Sequence, residues 1–384
     1  MESRRDSVTV THMNRTGRPT WVEVDLAAVR ANLRALRAFL GEGVGVIAVV
    51  KAGAYGHGAV PVARCLEEAG ADALAVAILE EALELRRAGI GLPILLLNGF
   101  WPGEEAEIIR RDLTPAVYAE DMVPRLAGEA GRLKVPARYA IKIDTGMTRL
   151  GIPFEQAGEV VCRCLATEWV RCQGLYTHFS SADEPGHPAT RRQIGRFNQV
   201  LADISSEKAA GFRNHMANSA GILGFREAWC DAVRPGLMLY GINPLSRPAP
   251  LTLSPALSFK TSIVQVKTIR AGTGVGYGGD YVASRTTRIA ILPVGYADGV
   301  NRLLASGGNV LLRGRRFSFA GRISMDLTAV DIGSSSEAGV GDEVCLIGRQ
   351  GSEEITVGEF AAACSTIPYE ALCRIGPRVP RIYR

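Results

Sequence analysis

The sequence predicts an α/β protein, a (β/α)8 TIM-type barrel followed by a mostly antiparallel β domain. Two patterns carry that expectation. Between Val44 and Arg234, short apolar runs alternate with amphipathic helical stretches, giving roughly eight βα units in about 200 residues, the rhythm of a closed parallel barrel rather than an open sheet. Beyond Pro244 the rhythm stops, Arg247-Pro248-Ala249-Pro250 reads as a linker, and strand-like segments dominate. At 384 residues the chain exceeds what one hydrophobic core usually serves. The expected division is a flexible N-terminal tail over 1–19, a barrel over 20–243 and a β domain over 244–384. The first strand, near 20–24, is a candidate to join the C-terminal domain.

Thr20-Trp21-Val22-Glu23-Val24 alternates as a strand does, and Asp25 caps a helix whose apolar positions Leu26, Val29, Leu33, Leu36 and Leu40 form one stripe. Buried strands are expected at Val44–Val50, Ala73–Ala77, Pro93–Leu97, Pro115–Tyr118, Tyr139–Ile143, Cys172–Tyr176, Phe212–His215 and Ala232–Arg234. Helices fall between them at Glu80–Ala88, Glu104–Arg110, Met122–Ala130, Phe154–Ala166 and Arg191–Ala210. In the second domain the strands are Phe259–Ile269, Arg288–Val294, Asn309–Leu312, Thr328–Ile332 and Val344–Ile347, interrupted by one helix at Val357–Ala363.

Hydrophobic residues at 47% and charged residues at 22% suit a soluble globular enzyme and exclude a disordered chain. The formal charge of +5 comes from dispersed Arg, with one cluster at Arg313, Arg315 and Arg316. Without a basic stripe or interleaved aromatics, nucleic acid is not an expected partner. No uncharged apolar run reaches membrane-spanning length, and Met1 to Pro19 lacks the apolar segment of a secretory signal. Eight Cys without a CxxC pair read as reduced thiols, so a cytoplasmic location is expected.

The chemistry is organised around Val44-Gly45-Val46-Ile47-Ala48-Val49-Val50-Lys51-Ala52-Gly53-Ala54-Tyr55-Gly56-His57-Gly58. A strand buried on both faces delivers a lone Lys at its end, before a loop of small residues. A lysine placed so can have a depressed pKa and, as the neutral amine, act as a base or form a Schiff base. A snorkelling Lys at a strand end is the bland alternative. Only six of the 44 basic residues are Lys, and Tyr55 and His57 follow among glycines that permit close approach to a ligand.

In a parallel barrel all strand C-termini open on one rim. Lys51, Lys142-Ile143-Asp144 with Arg149, His178, then His215 with Asn218 and Ser219, and finally Arg234-Pro235-Gly236 gather there. Each alone reads as a structural histidine or a surface charge. Together, at the ends of successive strands, they read as one site. Asn218-Ser219-Ala220-Gly221 and Pro235-Gly236-Leu237 have the composition of a phosphate cradle after strands seven and eight. A phosphate there and an amine at Lys51 suit pyridoxal 5′-phosphate.

Competing motifs are weak. Gly274-Val275-Gly276-Tyr277-Gly278-Gly279 matches GxGxxG, but strand-like sequence follows where a dinucleotide site needs a helix. The five His and eight Cys fall at no zinc-ligand spacing, so no metal is expected.

From about Trp21 to its end the chain resembles the bacterial-type alanine racemases. The matching segments are Ala48-Val49-Val50-Lys51-Ala52-Gly53-Ala54-Tyr55-Gly56-His57-Gly58, Lys142-Ile143-Asp144-Thr145-Gly146-Met147-Thr148-Arg149-Leu150-Gly151 and Tyr176-Thr177-His178-Phe179. His215-Met216-Ala217-Asn218-Ser219, Arg234-Pro235-Gly236, Gly276-Tyr277-Gly278, Gly295-Tyr296-Ala297-Asp298-Gly299 and Ser324-Met325-Asp326 follow in the family's order.

The resemblance implies that Lys51 condenses with the cofactor's aldehyde and that Tyr55, Ser219, Gly236, Leu237 and Tyr369 hold its phosphate, with His178 and Asn218 also beside the cofactor. Arg234 meets the pyridine nitrogen. Arg149 faces the ring oxygen and the substrate carboxylate, and Lys142 is expected to be carbamylated. Racemisation needs a base on each face of the α-carbon; Lys51 matches the D-face base and Tyr277 the L-face base, the latter supplied by the other subunit of a homodimer. Tyr296 and Met325 resemble entrance and carboxylate contacts from that partner. Gly53 stands where the family usually has Asn or Asp, Thr148 where Gly is common, and Ser324 where Cys is common. The alternatives weighed are preference for serine or another small amino acid, a fold-related decarboxylase, and a non-enzymatic cofactor carrier.

Overall fold

The computed structural model describes residues 17–184, 186–204, 211–334 and 337–384. Six strands, Gly45–Val49, Ala73–Val76, Ile94–Leu96, Leu113–Val117, Ala137–Asp144 and Val170–Tyr176, pair in parallel in that order. Ala232–Val233 pairs with Gly45–Val49 and completes the ring from the other side. Between Val170–Tyr176 and Ala232–Val233 lies the segment 213–217. Arg213 N–H donates to the Gln173 carbonyl (2.8 Å), His215 N–H to Leu175 (3.1 Å), and Arg234 N–H to Ala217 (2.8 Å). The barrel therefore closes.

The seventh strand, expected at Phe212–His215, is not a regular strand; its only ladder contact among the described residues is the Tyr176–His215 bridge. The reason is local. The side-chain carbonyl of Asn214 accepts from Leu175 N–H at 2.9 Å and replaces a backbone rung. The helix Leu26–Leu40 begins as expected, Asp25 accepting from Ala28 N–H at 2.9 Å. It buries Val29, Leu33 and Leu36, each of which contributes about 2 kcal/mol.

In the second domain a seven-stranded sheet runs Arg315–Ser318, Asn309–Leu312, Glu343–Gln350, Leu257–Ser262, Thr20–Val24, Arg381–Tyr383, with Glu353–Ile355 beside Glu343–Gln350. Thr20–Val24 lies antiparallel to Leu257–Ser262 and parallel to Arg381–Tyr383, so the first strand belongs to this sheet. The strand expected over Phe259–Ile269 splits. Leu257–Ser262 pairs with Glu343–Gln350, whereas Gln265–Ile269 pairs with Thr287–Leu292 in a separate three-stranded sheet that ends in Thr328–Asp331. The chain changes sheets at Ile263-Val264, two apolar residues that continue the pattern and conceal the break.

Two further differences bear on the site. Helix Pro368–Cys373 follows Val357–Ala363, where one helix was expected. The loose tail expected over 1–19 falls outside the described residues as far as residue 16. From Arg18 the chain is held: its guanidinium donates to both oxygens of the fully buried Asp298 at 2.6 and 2.8 Å. A buried carboxylate requires such a partner.

Candidate active site

Lys51 leaves the first barrel strand into an unusual turn. Ala52, Gly53, Ala54 and Tyr55 have φ of +52°, +62°, +54° and +53°, a short left-handed coil. For non-glycine residues this costs about 1–2 kcal/mol each and persists only when the surroundings hold it. Glu81 does so with one oxygen on Ala52 N–H (2.6 Å) and the other on Ala77 N–H (2.7 Å). The buried His57 ring lies 3.0 Å through Nδ1 from the carbonyls of both Ala54 and Tyr55. The second domain closes over the turn. Arg381 Nε donates to the Gly56 carbonyl at 3.0 Å, and β-carbons at Gly56 and Gly58 would strike the Leu372 carbonyl and the Tyr383 hydroxyl. Lys51 is thereby aimed into the barrel mouth.

There a cavity of about 180 Å³ is bordered by Lys51, Lys142, Arg149 and Arg234, with no Asp or Glu in its wall among the described residues. Four cations around so small a space call for anions. Burial, then Arg149, pushes the Lys51 ammonium below its ordinary value. Burial pushes Lys142 down to about 8, with Arg149, Arg234 and Lys51 adding to the effect. Arg149 is carried by a loop built on Asp144, whose carboxylate accepts from the N–H groups of Gly146, Met147 and Thr148 at 2.9, 3.0 and 3.1 Å.

Arg234 is buried and fixed. Nη1 donates to the His215 carbonyl (3.0 Å) and to His215 Nδ1 (2.5 Å); Nη2 donates to the carbonyls of Thr177 (2.6 Å) and Met216 (3.0 Å). Among the described residues Nε has no such partner, which leaves it for a ligand. Burial, then the Arg234 charge, holds His178 and His215 well below the usual imidazole value, so both are neutral.

The other side of the cavity is uncharged. Asn218 caps the short helix Ser219–Gly224 by accepting from Gly221 N–H at 2.9 Å, and Ser219 Oγ accepts from Gly236 N–H at 2.8 Å. A β-carbon at Gly236 would collide with the Tyr55 hydroxyl, so the glycine leaves a cradle between that phenol and Ser219. Leu237 opens the next helical turn. Tyr369, on Pro368–Cys373, stands 5.9 Å from the Tyr55 ring, centre to centre.

The structure thus gathers Lys51, Tyr55, Lys142, Arg149, His178, Asn218, Ser219, Arg234, Gly236, Leu237 and Tyr369 around one space. It also brings in Leu97, Asn98 and Tyr176, to which the sequence assigned no role at the site. Asn98 was findable as the residue directly beyond the strand expected at Pro93–Leu97. His215 is a correction: expected at the rim, it lies behind Arg234 and faces a different cavity at the opposite end of the barrel.

Tyr277, Tyr296 and Met325 do not border the mouth of their own barrel. They stand 70%, 44% and 51% exposed on the second domain. Tyr277 caps the hairpin of Gly274–Val275 and Tyr281–Val282, so the GxGxxG match is a hairpin tip with no helix after it. Tyr296 and Met325 share one corner, with Tyr296 N–H donating to Ser324 (3.0 Å) and Ala297 N–H to Met325 (3.1 Å).

Residues 24–244 match the model of the alanine racemase N-terminal domain and residues 256–383 that of its C-terminal domain. The chain belongs to the alanine racemase family. Among relatives in that family, the alanine racemase of Symbiobacterium thermophilum is 45% identical over 370 residues, 95% of this chain and 97% of the relative. That of Halothermothrix orenii is 42% identical over 372 residues, covering 96% and 98%. Among solved structures, the family member from Bacillus anthracis with bound L-Ala-P superposes with a TM-score of 0.90 at 37% identity, covering 96% of each chain. The alanine racemase of Streptomyces lavendulae, a D-cycloserine producer, gives 0.89 at 40% identity over 96% and 98%. Both domains match racemase models, which favours this family over the decarboxylase and carrier alternatives.

Proposed function

We propose that the protein is a pyridoxal 5′-phosphate-dependent alanine racemase acting as a cytoplasmic homodimer with shared active sites. One observation carries the reading: a half-buried lysine at a barrel strand end opens on a cavity with four cations and, among the described residues, no carboxylate, in a chain of this family. The residues present fit the cofactor. Ser219, the backbone at Gly236 and Leu237, Tyr55 and Tyr369 would hold its phosphate, Lys51 would meet its aldehyde, and Arg234 Nε would face its ring nitrogen. When bound, the cofactor supplies an electron sink that acidifies the substrate's α C–H.

The chain's own residues do the rest. Arg234 would present a guanidinium rather than a carboxylate to the ring nitrogen, which would disfavour its protonation and moderate that sink. Arg149 orients the substrate carboxylate. Lys51, its ammonium disfavoured by burial and by Arg149, takes and returns a proton on the D face. Tyr277 of a second protomer serves the L face, and Tyr296 and Met325 narrow the entrance. Carbamylation of Lys142 places an anion among the cations that depress its ammonium. All eight cysteines are free thiols, which suits the reducing cytoplasm.

The test is the absorbance of purified protein before and after borohydride reduction, with the labelled peptide sequenced and L- and D-alanine interconversion assayed. A cofactor band, label on Lys51 and racemisation are expected. Absence of both band and racemisation overturns the reading.

A further inference from the structure

The barrel has a second cavity at its other end, of about 370 Å³, remote from the catalytic mouth. Barrel interiors are ordinarily filled by layers of branched side chains. Here Ala73 and Ala140 supply little volume, and Ile47 and Ile94 wall a hollow. At its deep end lies His215, 4% exposed. Its Nδ1 accepts from Arg234 and the ring is neutral, so the proton resides on Nε2. That N–H has no acceptor among the described residues. At the outer edge Arg213 is exposed, and among the described residues it enters no ion pair and Arg138 is held only by an exposed contact with Asp112 at 3.1 Å. Asp72, the one carboxylate in the wall among the described residues, is engaged by Arg37 and by Val46 N–H, both at 2.7 Å.

We propose that this end of the barrel is a binding site for a small aromatic carboxylate: its apolar body lies between Ile47 and Ile94, an oxygen at its far end accepts from His215 Nε2, and its carboxylate meets Arg213 and Arg138. The volume is at the lower end of what ligand pockets offer, which limits the occupant to a single small molecule. An apolar wall with one donor at depth and cations at the edge selects for a molecule with an apolar middle and oxygen at both ends. The proposal does not depend on turnover.

Calorimetric titration of the holoprotein with 4-hydroxyphenylacetate, in the presence of saturating alanine, tests it. Binding of one molecule per chain is expected, weakened about tenfold by Arg213→Glu, which lies on the surface away from the catalytic mouth. Phenylacetate, which lacks the deep oxygen, and 4-hydroxyphenylacetamide, which lacks the charge, are each expected to bind several-fold more weakly. Displacement by alanine would place the ligand in the catalytic cavity and overturn the proposal. So would indifference to Arg213→Glu, or no heat at millimolar ligand.

Discussion

The barrel mouth and the exposed corner of the second domain carry chemistry in opposite states of completion. At the mouth, Arg234 is buried with both terminal nitrogens committed, Lys51 is fixed by a left-handed turn, and Asp144 organises the loop to Arg149. On the second domain, Tyr277, Tyr296 and Met325 stand exposed, braced from behind, and none of them borders the barrel-mouth cavity of its own chain. In the proposed racemase one half of the site is preformed and the other half is presented, and a second copy of the chain unites them.

The comparison breaks most sharply in a complementation experiment. Lys51→Ala and Tyr277→Phe should each lower racemisation by about a thousandfold or more, as loss of a proton-transfer group does. Dissociated and reassociated together, they form mixed dimers in which one site has lost both residues and the other keeps both. A random mixture should then recover about a quarter of wild-type activity. No recovery from demonstrably mixed dimers would mean that each chain uses its own tyrosine, or none. In heavy water, Tyr277→Phe should still exchange the α-proton of D-alanine through Lys51 while L-alanine keeps its own.

The presented half has its own support, and Asp298 is its centre. Besides Arg18, it pairs with Arg378 at 3.1 Å and accepts from Gly295 N–H at 3.1 Å, at the root of the Tyr296 turn. Asp298→Ala removes a buried anion from two guanidinium groups and is expected to cost about 3 kcal/mol in denaturant unfolding. Dimer affinity should fall with it. Unchanged stability would show that the corner is held by packing alone.

At the preformed half, Lys142 gives a pH signature. An amine whose folded value lies below its unfolded value opposes folding while the pH is below the folded value. Here that opposition is present at neutral pH and lifts as the pH rises from about 8 toward the ordinary 10.5. In buffer free of carbon dioxide, Lys142→Met should be more stable than the parent by about 2 kcal/mol at pH 7 and by little at pH 10. Labelled carbon dioxide should give the parent a carbamate signal by carbon-13 NMR that the variant lacks. A variant equally destabilised at both pH values would show that Lys142 is not opposed by its neighbours.

Much of the mouth was legible because strand ends in a parallel barrel have nowhere else to point. Lys51, Lys142, His178, Ser219 and Arg234 follow from the apolar runs that precede them. The rest depended on features that periodicity does not record. His215 is two residues short of Ala217 and pleats to the far side of Arg234, a distinction set by register. Tyr369 sits on a short helix whose place is decided by packing over Gly56, and only the family resemblance pointed to it. The sheet change at Ile263-Val264 was hidden because the apolar pattern runs through it. Tyr277 and its neighbours carry no burial signal in one chain.

The smallest effect concerns Thr148, in the loop that carries Arg149. Its φ of +54° is left-handed, a conformation that a β-branched side chain resists and that glycine, common in the family at this position, adopts freely. The strain is sustained by Asp144, which accepts from the Thr148 N–H among its three bonds. Thr148→Gly relieves about 1–2 kcal/mol of strain but returns part of it as unfolded-chain entropy, leaving a net stabilisation of about 0.5–1 kcal/mol. Thermal unfolding measures it. A loss of stability on substitution would mean that the threonine side chain makes compensating contacts, and that the loop at the preformed half is tighter than its backbone indicates.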